Sequence, residues 1–272
     1  MVKGVDWHMI FETKGSEEIK RLFGDWQETM VWSCLQGVMG HLYTDDLAAP
    51  ESVMAILGDF CFFAGKPDEE ITAYKPDWCK QDFIIMTARE EEWLSLIEKT
   101  YGANAKRVSR YAIRKEPDVF DKDKLQGIVE SLDQKYTIRK IDEPLYYACK
   151  NERWSKDLVS VYDGYEEYRE LGMGYVILEG TTVISGASSY SSYRNGIEIE
   201  VDTRAEYRRK GLASVCSARL ILECLDRGLY PSWDAQNLWS VALSEKLGYH
   251  FDHAYTAYEI TDYGGGAQKT RS

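Results

Sequence analysis

The sequence predicts an α/β (α+β) chain in two parts, a smaller N-terminal α/β domain followed by a larger one. Three observations carry this expectation. The 272 residues are 44% hydrophobic and 13% aromatic, which supplies a buried core and excludes disordered, collagen-like and disulfide-stapled classes. At about 100–200 residues per domain, this length fits two small domains better than one. In the second half, strand-like and helix-like patterns follow one another in the order strand, strand, strand, helix, strand, helix, strand.

The first 25 residues are polar and resist placement. Glu28 to Tyr43 is rich in Val, Leu, Met and Trp and reads as a strand, bent at Gly37 or Gly40. Pro50 opens a short helix through Leu57. Phe60 to Ala64 and Phe83 to Met86 read as strands, with a turn at Gly65-Lys66-Pro67. Thr87 and Glu90 form a capping box for a helix from Ala88 to about Lys99, with Trp93, Leu94, Leu96 and Ile97 as its apolar stripe. Val108 to Ile113 is a further strand, and the charged run Asp118 to Asp123 beside Pro117 marks a junction.

Beyond it, Leu125, Ile128, Val129 and Leu132 define a helix, and Tyr136 to Ile141 a strand. A helix follows around Leu145 to Cys149. A second, through Tyr162, Tyr165 and Tyr168, closes on a left-handed cap at Gly172. Gly174 to Leu178 and Val183 to Tyr190 are strands. Asn195-Gly196 is a two-residue hairpin turn into Ile197 to Thr203, where apolar and acidic residues alternate. A helix from about Leu212 to Arg227, a strand from Tyr230 to Ala235, a helix from Leu238 to Leu247 and a closing strand from Phe251 to Ile260 complete the chain.

Lys and Arg number 33 against 45 Asp and Glu, for a formal charge of -12. That balance argues against a broad surface for nucleic acid or anionic membrane. The opening stretch turns acidic before any apolar run, so neither an export signal nor a membrane span is expected. Six cysteines in no close pair fit a reducing cytoplasm. His41 with Asp45 and Asp46 is a weak metal pattern, and no metal site is expected. Residues 264–272, GGGAQKTRS, read as a flexible tail.

Against this acidic background, Arg208, Arg209, Lys210 and Gly211 precede Leu212, Ala213 and Ser214 at a helix start. Unpaired N–H groups at such an end, with the helix dipole, bind an anion. No GxxxxGK[ST] or GxGxxG is present. The stretch Arg208-Arg209-Lys210-Gly211-Leu212-Ala213 resembles the [Q/R]xxGx[G/A] pyrophosphate loop of the GNAT N-acetyltransferase superfamily. Asn237 and the run Leu243-Ser244-Glu245-Lys246-Leu247-Gly248-Tyr249 are similar to that family's segment ending in EKLGF or EKLGY. The two-part layout resembles the subgroup containing the zwittermicin A resistance acetyltransferase.

The resemblance implies an acyl-CoA N-acyltransferase fold, a mixed central sheet flanked by helices, in residues 126–263. Residues 1–125 then form an N-terminal α/β domain, a degenerate half of the same type, lacking any such loop. It further implies acetyl-CoA as co-substrate and direct transfer of its acetyl group to a primary amine, with no covalent enzyme intermediate. Backbone groups of Val201, Asp202 and Thr203 would pair with the pantetheine arm. The loop from Arg208 through Arg209, Lys210, Gly211, Leu212 and Ala213 would hold the pyrophosphate, aided by Ser214, with Asn237 and Ser240 near the pantetheine. A base must take the amine proton. Glu198 and Glu200 share one strand face about 6.6 Å apart and are the candidates. Ser244 stands where many members of the family carry a tyrosine acid, so Ser244, Tyr249 or no side chain at all would serve the leaving thiolate. Tyr190, Tyr193 and Trp233 would line an acceptor pocket or pack the core.

A small amine acceptor is the leading expectation, an aminopolyol-like antibiotic among the molecules that fit. A protein amine and a non-catalytic acyl-CoA-binding module are the alternatives. Eight tryptophans leave room for a homodimer interface.

Overall fold

A computed structural model describes residues 9–264; the flexible tail expected at 264–272 lies, apart from Gly264, outside the described residues. The elements run β1 (Phe11–Thr13), α1 (Glu17–Phe23), α2 (Thr29–Gln36), β2 (His41–Thr44), β3 (Ser52–Leu57), β4 (Phe60–Gly65), α3 (Glu69–Ala73), β5 (Phe83–Ala88), α4 (Glu91–Tyr101) and β6 (Ala105–Ile113). There follow α5 (Lys122–Glu130), β7 (Tyr136–Lys140), α6 (Glu143–Lys150), α7 (Tyr165–Leu171), β8 (Gly174–Glu179), β9 (Thr182–Tyr193) and β10 (Gly196–Thr203). The chain ends with α8 (Leu212–Asp226), β11 (Tyr230–Ser232), β12 (Asp234–Ala235), α9 (Leu238–Leu247) and β13 (Phe251–Thr261). They form two compact units: the chain up to Ser109 together with Thr256 onward, and Arg110–Tyr255.

In the first unit, strands pair in the order β1-β2-β3-β4-β5-β13-β6. Tyr43, Met54, Phe63, Met86, Trp93 and Ile260 belong to its core. Two expectations fail here. Residues 29–36 are helical rather than extended: the buried Glu28 carboxylate accepts the Met30 amide at 3.1 Å, and Gly37, at φ 64°, ends the helix. Conversely, Ser52–Leu57 is a strand rather than a helix. Every one of its side chains is buried, and it pairs with β2 on one edge and β4 on the other. A short, uniformly apolar run gives no period to choose by, and here the two neighbours decide. The capping box is also displaced, since Thr87 lies inside β5 and Glu90 is the residue that precedes α4.

In the second unit a five-stranded sheet runs β11-β10-β9-β8-β7. It is mixed, with β10 parallel to β11 and antiparallel to β9. Helix α8 packs its apolar side on one face, where Ile177, Ala187, Ile197, Ile199, Val215, Cys216 and Ile221 share a core. The hairpin turn sits one residue earlier than expected, because Gly196 pairs with Tyr193 and leaves Arg194 and Asn195 as the turn. Glycine is needed at 196 for space: a Cβ there would lie 2.2 Å from the Tyr230 carbonyl oxygen. Gly172 is likewise not left-handed (φ −97°), and an added Cβ would strike the Tyr168 ring at 2.6 Å. The final strand, expected to complete this second sheet, instead pairs through Tyr258–Thr261 with β5. All six cysteines are buried free thiols.

Candidate active site

The site grows from the way β10 leaves its neighbour. β10 pairs with β9 along its whole length, but with β11 only at Gly196, Ile197 and Glu198. After Ser232 the chain bends at Trp233, and Asp234 and Ala235 pair with Ala112 and Tyr111 of β6. From Ile199 onward the outer edge of β10 therefore faces no described strand. A strand left open in mid-sheet exposes backbone donors and acceptors for a ligand to pair with.

The phase of that edge follows from one bond. The Arg204 amide donates to the Ile184 carbonyl at 2.9 Å, so Glu200 and Asp202 turn their backbone groups toward β9, and Ile199, Val201 and Thr203 turn theirs to the opening. Those of Thr203 are already engaged. Its amide donates to the Asp202 carboxylate at 2.7 Å, and its carbonyl accepts from Arg208 Nε at 3.1 Å. Ile199 and Val201 thus present the backbone edge. Burial pushes the Asp202 carboxyl above its ordinary value, against the opposing pulls of the Thr203 amide and Arg208.

A buried ion pair holds the far wall of the opening. Asp234, just past the bend, accepts from Arg110 Nε at 2.7 Å and from the Tyr255 hydroxyl at 2.9 Å. Both charged side chains are only 12% exposed. Burial works against the Arg110 charge, but Asp234 outweighs it and holds the guanidinium firmly protonated. The Trp233 indole donates to Ser240 Oγ at 3.0 Å, tying the bend to α9. Asn237 caps α9, its Oδ1 accepting the Ser240 amide at 3.0 Å.

At the C-terminal end of β10 lies the basic loop. Arg209 adopts φ 61° and Gly211 φ 80°. A left-handed non-glycine residue is uncommon, and such alternation of backbone hand turns successive N–H groups into one concave nest. Gly211 immediately precedes the 15-residue α8, whose first turn holds no acidic residue and no side-chain cap. Its first amides are therefore left for an anion. Leu212 is buried and anchors the helix, Ala213 is half-buried, and Ser214 Oγ accepts from Lys246 Nζ at 3.3 Å. Lys210 packs over the Tyr207 ring, 4.5 Å from its centroid. Lys246 thus adds a fourth cation beside Arg208, Arg209 and Lys210. It belongs to the EKLGY segment but was not among the sequence candidates, because only the fold carries it to α8.

Glu198, Glu200 and Asp202 project from the face of β10 opposite Ile197 and Ile199. On that face Gly186, level with Asp202, abuts Leu158, and Ser188, level with Glu200, bonds the Tyr168 hydroxyl at 2.9 Å. Glu198 is buried and Glu200 half-buried. Burial first, and the nearby Glu198 and Tyr230, hold the Tyr193 hydroxyl well above its usual value. Tyr190, Tyr193 and Trp233 are all buried. The two candidate acids are already committed within the fold. Ser244 is fully buried and its hydroxyl donates to the Val241 carbonyl at 2.8 Å. Tyr249 is equally buried, donates to the Pro231 carbonyl at 2.6 Å, and has a raised pKa from desolvation.

His41 bonds Glu12, while the Asp45 carboxylate accepts the amides of Asp46, Glu51 and Ser52. Among the described residues no group of three or more His, Cys, Asp or Glu is placed to hold a metal ion, and no helix is long and apolar enough to cross a membrane.

A mixed sheet opened between two parallel strands, with an anion nest at the following helix, defines the acyl-CoA N-acyltransferase fold, here with an additional N-terminal sheet. The family of GNAT acetyltransferases matches residues 20–258, and the chain belongs to it. Its chemistry is acetyl-CoA-dependent acyl transfer. The crystal structure of a GCN5-related N-acetyltransferase-like protein from Streptococcus suis 89/1591 is similar, with 48% identity and a TM-score of 0.84 over 89% of this chain and 96% of that one. The uncharacterized N-acetyltransferase YdfB of Bacillus subtilis is 27% identical over 265 residues, 90% of this chain and 95% of that protein. A tandem GNAT protein from the clavulanic acid biosynthesis pathway shares the fold alone, at 8% identity and a TM-score of 0.51 over 93% of this chain and 98% of that one.

Proposed function

We propose that the chain transfers an acetyl group from acetyl-CoA directly to a primary amine of a small cationic molecule. One observation carries the reading: the parting of β10 from β11 after Glu198 runs into the Arg209–Gly211 nest. An extended arm ending in a diphosphate matches that sequence of features. The backbone edge of Ile199 and Val201 would pair with the arm. The loop amides, with Arg209, Lys210 and Lys246, would hold the phosphates. Arg208 would brace the loop through Thr203. Asn237 and Ser240 would stand by the arm from α9.

Glu198 and Glu200 would draw in a cationic acceptor and take the proton that its ammonium must lose before attack. A backbone N–H on the open edge would polarise the thioester carbonyl. With the Ser244 and Tyr249 protons already engaged, the thiolate would leave protonated from water. The acidic face favours an acceptor with more than one positive charge, and the likeness in layout to the zwittermicin A resistance acetyltransferase makes aminopolyols the first compounds to try. Six buried thiols support a reducing compartment as the setting.

The test is CoA release over a panel of mono-, di- and polyamines, aminopolyols and lysine peptides, with Glu198→Gln and Glu200→Gln beside the wild type. Turnover with small polyamines or aminopolyols, falling at least about a hundredfold in one of the variants, supports the reading. Turnover confined to peptides moves the acceptor to a protein amine. Acetyl-CoA binding with no turnover on any amine makes the chain a non-catalytic acyl-CoA-binding module.

A further inference from the structure

The second unit carries a cleft of about 440 Å³ whose lining includes Arg139, Lys140, Tyr165, Arg169, Met173 and Arg227. It is separate from the acyl-CoA loop. Arg227 follows the last residue of α8 and Gly211 precedes the first, and 15 residues of helix span about 22 Å. Four cationic side chains and a single carboxylate, Asp142, line the concavity, a local excess of positive charge in a chain whose formal charge is -12.

Carboxylates hold these cations in place without cancelling them. Glu223 alone serves Arg227 (Nε at 2.9 Å), Arg219 (3.3 Å) and Lys140 (3.8 Å), and also accepts the Tyr175 hydroxyl at 2.9 Å. Three cations around one carboxylate leave a positive remainder. Asp142, which bonds Arg139 at 2.7 Å, spends its other oxygen on the Leu145 amide at the start of α6. Arg169 is fixed by Glu166 one turn before it. Each guanidinium has five N–H donors, and a single carboxylate engages one or two of them. The forks therefore keep donors to spare. A monocarboxylate would satisfy only one fork, whereas a tetrahedral dianion accepts from several directions.

We propose that this cleft is a second anion site, which binds a small phosphate-bearing molecule through Arg139, Lys140, Arg169 and Arg227, with the Tyr165 ring and Met173 against its organic part. The cleft is distinct from the loop that would hold the diphosphate, so its ligand is not the diphosphate of the acyl donor.

Inorganic phosphate is the probe, titrated calorimetrically at low ionic strength into the full chain. The loop is a competing anion site, so the titration is made in the Gly211→Asp background and again with Arg169→Gln and Arg227→Gln added. The expected result is phosphate binding that survives Gly211→Asp and weakens about tenfold or more when the two arginines are replaced. Acetyl-CoA binding by the Arg169→Gln/Arg227→Gln chain, with Gly211 intact, should stay within about twofold of the wild type and serves as the control for folding. Loss of all phosphate binding in Gly211→Asp would overturn the proposal, as would residual binding indifferent to the two arginines. An acetyl-CoA titration that fails in the wild type would strike at the proposed function and leave this site standing.

Discussion

The buried pair Arg110–Asp234 offers the sharpest mutational test of how the site is held open. Asp234 lies two residues beyond the last contact of β11 with β10, and it is the group that fixes the departing chain. In Asp234→Ala, the Arg110 guanidinium, 12% exposed, loses the carboxylate 2.6 Å away, and the Tyr255 hydroxyl loses its acceptor. Removing one member of a buried pair costs about 3–5 kcal/mol, because the charge left behind loses its counter-charge while still shielded from water. At roughly 2–4 °C per kcal/mol for a unit of this size, the melting temperature should fall by about 6–20 °C. The double replacement Arg110→Met/Asp234→Leu removes both charges and should melt near the wild type, since an apolar pair of similar volume is often neutral or better. Because the wall of the opening moves, the KM for acetyl-CoA should rise more than kcat falls in the single variant. Scanning calorimetry and initial rates measure both. An Asp234→Ala chain melting within about 1 °C of the wild type would refute the argument, as would a double variant no better than the single one.

Gly211→Ala should destabilise by about 1–2 kcal/mol through backbone strain alone, because φ is 80° and the new Cβ meets nothing within 4 Å. Asparagine should cost less, and equal melting of all three chains would contradict the strained-turn account. Glu223 sits 18% exposed; burial raises its pKa, but the bonds from Arg227 and Tyr175 outweigh burial and hold it below its ordinary 4.5. Its contribution is present above 4.5 and lost as pH falls through the lower folded value, so Glu223→Gln should cost roughly 1–3 kcal/mol at pH 7 and little in acid, read by urea unfolding across pH. Ser244→Ala should leave kcat within a few-fold, since its hydroxyl faces the Val241 carbonyl; a drop beyond about a hundredfold would restore it as an acid.

Much of the order of elements in the second unit was legible because β10 alternates apolar and acidic residues and its neighbouring helices end in glycine, as at Gly228 and Gly248, both at positive φ. The basic loop stood out in the sequence by its local density of charge, which an ordinary solvated turn would also show, and its reading as an anion loop came from the resemblance of Arg208–Ala213 to a known motif. What escaped were features set by distant partners. α2 depends on the buried Glu28 carboxylate, and β3 on strands at both edges, neither of which leaves a period in the sequence. The bend at Trp233 divides one apparent strand, Tyr230 to Ala235, because β6 recruits its second half. The proximity of Lys246 to Ser214 spans 32 positions and appears only once α9 lies beside α8. The same holds for Tyr249, whose hydroxyl is spent on the Pro231 carbonyl 18 positions away, whereas Ser244 bonds back within its own helix to Val241.

The central claim is that the Arg209–Gly211 nest and the open edge of β10 hold acetyl-CoA. Calorimetric titration of acetyl-CoA into the wild type and into Gly211→Asp addresses it most directly, because the added carboxylate meets the phosphates in both space and charge. The account predicts micromolar binding near one site per chain, weakened at least about a hundredfold in the variant. No binding by a folded wild type, or equal binding by both chains, would contradict it.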